Sequence, residues 1–332
     1  TASQSSQKTG QSDLAIGTSG GTSLGRLKGY VQEVITYQTN KSTNRTDIEF
    51  NINKYFDTSP QGPTKLLLDK YPGSAAAYSL RKLSAKYSGP AIKIRRASDS
   101  LEADVFFDNS GNISLESIVT NVSETTTGKP QGSATFSLPV STLGEFVGNI
   151  KYSSAGVTDA FVVVWYDQSS NGNDAQQLNA ASQPKVVNAG FVVAEGKNPA
   201  VQFDGTYHTL LTGVDFLVKG TFSVVKSTGT GSVFGSGGTG EFLRSLSSTK
   251  YHLRNNNSIN FTTDTTVQSL LYAANDTTSE LAVNGATALT STALQTDEFN
   301  ELIIGQKNPT AAEFLNGNLQ EAIIYETNQS SN

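Results

Sequence analysis

Gly29–Asn44 reads GYVQEVITYQTNKSTN and Gly317–Asn332 reads GNLQEAIIYETNQSSN, two versions of one segment within a single chain. The identical positions are the opening Gly, Gln32/Gln320, Glu33/Glu321, Ile35/Ile323, Tyr37/Tyr325, Thr39/Thr327, Asn40/Asn328, Ser42/Ser330 and Asn44/Asn332. The match runs backwards without a gap: Leu14, Ile16, Gly17 and Leu27 align with Leu302, Ile304, Gly305 and Leu315 at the same offset of 288 (317 minus 29). A constant offset over so long a stretch marks the same structural element from two successive copies of one domain. Within it Val31, Glu33, Ile35 and Tyr37 alternate with Gln32, Val34 and Thr36. That is the period of a strand, and the mixed character of both sides places it between two half-covered layers.

Composition agrees with a β-rich chain. Of 332 residues, 30 are Gly and only 16% are charged, a balance that favours short strands joined by polar turns. The length suffices for one large or two medium domains. Cys is absent, which excludes disulfides, thiolate metal sites and thiol catalysis but leaves the compartment open. The net charge is −5 and the chain has no block of Lys and Arg, so no nucleic acid is expected as a partner. No apolar run approaches the roughly eighteen residues of a membrane span, so no membrane insertion is expected. With Thr1 first and no Met anywhere, a processed product or part of something longer is expected.

Along the chain, Ser42–Asn44 offers N-caps to Ile48, Ile52, Tyr55 and Phe56, spaced as a short amphipathic helix. After the turn at Tyr71-Pro72-Gly73, the spacing of Ala76, Leu80, Leu83 and Tyr87 predicts a second helix over Ala75–Tyr87. Ala91–Arg96 alternates as a half-buried strand with Val105–Phe107 as its neighbour, and Phe161–Tyr166, FVVVWY, reads as a central strand. From Val186 onward, strands and turns follow at the spacing of an all-β sandwich. Asn284-Gly285 is the strongest short hairpin signal.

These residues carry two resemblances. Phe203-Asp204-Gly205, then LAVNG (Leu281–Gly285), Ile303-Ile304-Gly305 and FLNGNLQEAIIY (Phe314–Tyr325) come in the order of the motifs of the concanavalin A-like, laminin G-type jelly roll, which this stretch resembles. AAAYSLRKLSAKYSGPAIKIRRASD (Ala75–Asp99) with WYDQSSNGNDAQQ (Trp165–Gln177) is similar to the N-terminal part of the fungal α-L-arabinofuranosidase B catalytic domain. The two together resemble a module of large virion and tail-fibre proteins of bacteriophages, and Tyr37–Phe56 fits that module's YxxNxSxNRTxIExNINxYF. The fold implied is mostly β, a concanavalin A-like jelly-roll sandwich with a few short helices. Residues 1–56 would then be the C-terminal part of a preceding jelly-roll copy with its amphipathic helix, and 57–74 a linker. Residues 75–332 would form an arabinofuranosidase-B-like and laminin G-like domain, with 75–185 its N-terminal part, 186–332 its main sandwich and its end incomplete.

The arabinofuranosidase resemblance implies two carboxylates about 5 Å apart. The vicinal Cys pair that precedes the nucleophile in that family is missing, and Asp215, Glu241, Asp264, Asp276 and Glu280 fit no motif of it, so no catalytic residue is assigned. Asp167–Gly172 matches the first half of an EF-hand-like calcium loop, but its twelfth position is Leu178. No metal ligands and no cofactor are therefore expected; Ca2+ would need distant oxygens. Asp167, Asn171, Asn173 and Asp174 are the candidate ligand-binding residues. The competing reading is that Asp167 and Asn171 bond their own turn while Trp165 and Tyr166 pack in the core. Gly229–Gly240 lacks a Gly-Lys-Ser/Thr and reads as a flexible loop, His208 and His252 lack ligand spacing, and Arg95 and Arg96 either hold an acidic sugar or pair with Asp99 and Glu102. Two functions follow: a non-catalytic structural or adhesive module of a virion fibre or decoration protein, or a secreted carbohydrate-active protein, either hydrolase or adhesin. The expected partners are neighbouring copies of the module through sheet edges and a cell-surface glycan, at a virion surface or outside the cell.

Overall fold

Whether Ala75–Tyr87 follows the helical or the strand period is decided by its partners. In the computed structural model Ala76–Ser79 is a strand, antiparallel to the closing strand with Ala76 opposite Ile324 and Ser79 opposite Glu321. The expected helix is thus corrected. Ala76 and Tyr78 point into the main core, Ala77 joins a second cluster with Leu68, Leu83, Ile323 and Tyr325, and both faces are covered. Tertiary pairing has overridden a local i, i+4 pattern.

The structure describes residues 66–124, 142–149, 156–237, 241–247, 250–253, 259–262, 268–274, 279–284, 287–291, 301–310, 313–327 and 329, together with Thr39. The chain divides into Thr1–Thr64 and Lys65–Asn332. The first copy of the repeated segment and the helix expected over Ile48–Phe56 lie outside the described residues. Of the stretch read as a linker, the part from Leu66 on is packed: Leu68 donates its N–H to Leu83 O, and Tyr325 its hydroxyl to Tyr71 O.

The strands are β1 (Ala76–Ser79), β2 (Ile92–Arg96), β3 (Leu101–Val105), β4 (Val119–Glu124), β5 (Ala160–Trp165), β6 (Ala175–Gln176), β7 (Lys185–Asn188), β8 (Phe191–Val192), β9 (Ala194–Glu195), β10 (Asn198–Pro199) and β11 (Val201–Asp204). They continue with β12 (Leu210–Leu211), β13 (Gly220–Ser227), β14 (Gly231–Ser236), β15 (Glu241–Ser247), β16 (Lys250–Leu253), β17 (Ile259–Thr262), β18 (Gln268–Ala274), β19 (Ser279–Val283), β20 (Leu289–Ser291), β21 (Leu302–Ile304) and β22 (Asn316–Tyr325). Two one-turn helices, α1 (Leu67–Lys70) and α2 (Leu143–Phe146), accompany them; α2 starts in a capping box between Thr142 and Glu145. No helix among the described residues is long and apolar enough to cross a membrane.

One layer runs β4-β3-β2-β5-β7-β11-β22-β13-β18-β19-β20, with β1 sharing the β11 edge of β22. The other runs β17-β16-β15-β14-β21-β12. Gln176 of β6 opposes both Val164 and Leu211 and joins the layers at one side. Between them lies a single core in which Phe203, Val225, Leu319 and Ile324 meet Leu210, Phe234, Leu243, Leu302 and Ile304. Each such fully buried side chain stabilises the fold by about 1.5–3 kcal/mol over its exposed state. The architecture is a mostly β sandwich with few, short helices, as expected. FVVVWY is the central strand β5, although Phe161 and Val164 face outward.

Two glycines show how closely the chain packs. Gly305, at φ +88°, lies where an added Cβ would come 2.3 Å from the Phe203 ring, so the FDG and IG motifs meet in space. Gly235 falls in the Gly-rich run read as a flexible loop, but Gly231–Ser236 is a wholly buried strand. It is Gly-rich because Gln306, Lys307 and Phe314 press on it: a Cβ at 235 would sit 1.9 Å from Lys307 O, and one at 231 would sit 2.0 Å from Phe314 O. The Asn284-Gly285 turn is a longer connection than a two-residue hairpin, since its closing pair is Leu281 with Leu289. Gly235→Ala should lower stability by about 3 kcal/mol through this backbone clash. A urea midpoint equal to that of the parent would contradict the packing described.

Candidate functional site

The four residues proposed from sequence gather at one place, where they hold the chain to itself. The buried Asp167 carboxylate, 3% exposed, accepts the N–H groups of Ala77, Ser169 and Asn173 and the Ser169 hydroxyl. Asn171 donates to Ser74 O and Ala75 O, Asn173 to Ala75 O, and Asp174 accepts the Asp167 N–H. Gln168 continues the clasp: its side chain accepts from Leu83 N–H and donates to Ser79 O and Arg81 O. Tyr78, whose ring packs against Trp165, donates its hydroxyl to Asn173 O. Burial pushes the Asp174 carboxyl up, opposed by the Asp167 N–H and reinforced by the Asp167 charge. The loop Asp167–Asp174 is thus a clamp on the start of β1 and the chain that follows it. Among the described residues no three His, Cys, Asp or Glu side chains come together as metal ligands.

The basic cluster is likewise internal. Arg96 is buried, paired with Asp99 at 2.6 Å and donating to Phe146 O, and Arg95 donates to Gln183 and Ala180 O. His208 sits in the turn made by Asp204. Burial pushes the Asp204 carboxyl up, but the N–H groups of Tyr207, Thr206 and His208 and the Thr206 hydroxyl outweigh it and hold the group well below the usual carboxylate range.

The surface is indented over the outer face of β22, whose Glu321, Ile323 and Tyr325 are themselves buried. Pairing sets its side chains in rows with those of the neighbouring strands: Ser79, Glu321 and Val224 in one, Ala77, Ile323 and Phe222 in the next. α1 and the chain after β1 roof the β1 side, leaving a cleft of about 360 Å³ lined by Leu67, Tyr71, Arg81, Phe222, Ile323 and Tyr325 among others. Phe222 meets Tyr325 edge-on, with ring centroids 5.9 Å apart. A second opening of about 140 Å³ adjoins it, adding Asn112, Asn198, Pro199 and Gln320. Arg81, Val224 and Glu321 line both. Glu321 accepts from Arg81 Nε at 2.8 Å, Arg81 Nη2 at 3.0 Å and Ser79 Oγ at 3.0 Å. Sequence reading missed this site, although it held a signal. Glu321, Ile323 and Tyr325, the outward positions, are identical to Glu33, Ile35 and Tyr37, whereas the core-facing Ala322 and Ile324 replace Val34 and Thr36.

No protein-family model matches the chain, and no curated protein matches it in sequence. Among solved structures it is similar to an arabinofuranosidase complexed with arabinofuranosyl-α-1,2-xylobiose (14% identity, TM-score 0.47). It is also similar to a GH54 α-L-arabinofuranosidase soaked with a cyclic sulfate inhibitor (12% identity, TM-score 0.49). Each match covers 77% of this chain and 60% of the other, so the chain spans 60% of the length of the arabinofuranosidases it matches. A Trypanosoma rangeli sialidase mutant displaying trans-sialidase activity is similar at 14% identity and TM-score 0.37, over 51% of this chain and 30% of that one.

Two outcomes test this assignment of roles. Asp167→Ala removes a buried acceptor of four hydrogen bonds and should cost about 3 kcal/mol in urea unfolding; a loss below about 1 kcal/mol would show that the loop is no clamp. Asp204 is an acid depressed on folding, so its stabilisation is present above the unfolded value near pH 4 and is lost as pH falls through the lower native value. Between about pH 5 and pH 2.5 the parent should therefore lose more stability than Asp204→Asn, and parallel curves would refute this.

Proposed function

We propose that this chain is a non-catalytic, glycan-binding adhesive module that serves as part of a virion fibre or decoration protein, or of another extracellular surface. The groove over β22 carries this reading. A sugar ring presents C–H groups to aromatic rings and hydroxyls to fixed polar groups, and this cleft offers both: partly exposed Tyr71 and Phe222 rings beside the Arg81–Glu321 pair and the amides of Asn112, Asn198 and Gln320. Its volume falls at the small end of ligand sites, roughly 300–1,000 Å³. Among the described residues Glu321 is its one carboxylate, whereas glycoside hydrolysis uses two. The resemblance of Tyr37–Phe56, and of Ala75–Asp99 and Trp165–Gln177 followed by the laminin G-like ending, to phage modules supports the virion setting.

The module's partners, on this reading, are further copies of itself. Among the described residues β4, β17 and β20 end their layers, and unpaired strand edges are where such modules join. A glycan array followed by calorimetry tests the binding: Phe222→Ala should weaken the best ligand about tenfold. Absence of binding to any glycan, or steady release of monosaccharide from a bound polymer, would overturn the proposal.

A further inference from the structure

Taking the groove to be a glycan site, as proposed above, we infer that its ligand is an acidic oligosaccharide of at least two sugar units, with a carboxylate seated on Arg81. The Arg81–Glu321 pair is lopsided in its exposure. The arginine side chain is 47% exposed and the glutamate 8%. Glu321 is further covered by the Ser79 hydroxyl on Oε2. What an incoming molecule meets first is therefore the guanidinium, with Glu321, which also lines the groove, set behind it. Nε and Nη2 are spent on Glu321, while Nη1 makes no hydrogen bond among the described residues. A planar guanidinium with a free N–H edge suits a carboxylate better than it suits a neutral hydroxyl.

A second cation lies beside one of the lining rings: Lys70 Nζ is 5.0 Å from the centroid of the Tyr71 ring. Its helix neighbour Asp69 keeps its negative charge, stabilised by the Ala85 N–H and the Ser84 hydroxyl, so the Arg81 edge is the groove's anion contact. The length of the ligand follows from the two openings. Arg81 and Glu321 line both, so a carboxylate on Arg81 leaves one sugar against Phe222 and Tyr71 and the next toward Asn112 and Asn198. A neutral monosaccharide would use one opening and leave the arginine edge to water.

The test uses the full chain, with mono- to tetragalacturonate and their carboxyl-reduced counterparts as probes in calorimetry. The acidic series should bind about tenfold more tightly than the reduced series. Affinity should rise from the monosaccharide to the di- or trisaccharide and then level off. The double variant Arg81→Gln with Glu321→Gln keeps a neutral hydrogen-bonding pair without stranding a buried carboxylate. It should abolish the preference, so that the acidic and the reduced probes bind alike. Should that variant fail to fold, salt serves instead: raising it from about 0.05 to 0.5 M should erode the advantage of the acidic probes in the parent. Equal binding of acidic and reduced probes, or a preference that survives the double variant or the salt, overturns the inference and leaves glycan binding standing. If neither series binds and light scattering shows a dimer that Phe222→Asp dissociates, the groove belongs to a second copy, and both readings fall.

Discussion

The double pairing of β22 is the constraint on which the other features rest. Along one edge it pairs with β13 for nearly its whole length; the other edge is shared, with β1 against Glu321–Ile324 and β11 against Asn316–Leu319. Where the two neighbours change over, the register slips: Val224 opposes Glu321 but Val225 opposes Leu319, so Gln320 is an extra residue. A bulge of this kind lets the side chains on either side of it keep their proper faces. Leu319 stays in the core and Glu321 faces out, while Gln320 donates to Glu195 O and Asn198 O and ties the end of the groove to the β9–β10 hairpin. The groove therefore has a continuous ladder as its floor.

Because β1 contributes only four residues to that ladder, its place is held by other means. The Asp167–Asp174 loop supplies them: Asp167 receives the N–H of Ala77, and Gln168 bridges Ser79, Arg81 and Leu83. These bonds also fix where Arg81 leaves the strand. The Asp167–Asp174 loop thus acts on the groove at one remove, by positioning the segment that carries its cation. β13, the opposite wall, depends on pairing even more. Its inward Thr221 and Ser223 hydroxyls are buried without a hydrogen-bond partner, an arrangement that costs roughly 1–3 kcal/mol for each group. Its ladders with β22 and β18 hold Phe222 and Val224 in line.

The strand-rich half of the chain could be read from sequence because alternation there agrees with burial, as in Gly220–Ser227 and Val201–Asp204. The FDG and IG motifs could be read too, and the contact between Phe203 and Gly305 gives their physical reason. Ala76–Ser79 could not, because it is apolar on both faces and only its long-range partners distinguish strand from helix. The candidate ligand residues were found as a group, with bonding of their own turn as the competing reading, but sequence could not show that the loop also reaches across to Ser74, Ala75 and Ala77. The groove escaped for a related reason. Tyr71, Arg81, Phe222 and Glu321 are far apart in the chain, and the strand order β1-β22-β13 alone brings them together.

Among the described residues the carboxylates serve mainly as acceptors that hold the chain together. A general acid for glycoside hydrolysis needs a carboxyl raised toward neutrality and a second carboxylate across the sugar from it. In this fold the common use is the reverse. Asp108, Asp159, Glu195 and Asp204 are all drawn down from their ordinary values by hydrogen bonds that outweigh their burial, and each fastens a turn or a pair of strands. Asp174 and Glu102 are pushed up, chiefly by burial, but Asp174 is part of the β1 clamp, Glu102 stands opposite Arg95, and neither lines the groove. Glu321, which does line it, is committed to Arg81 and Ser79. A face with aromatic and amide contacts and an accessible guanidinium is what the proposed selection of a ligand by shape and charge would use.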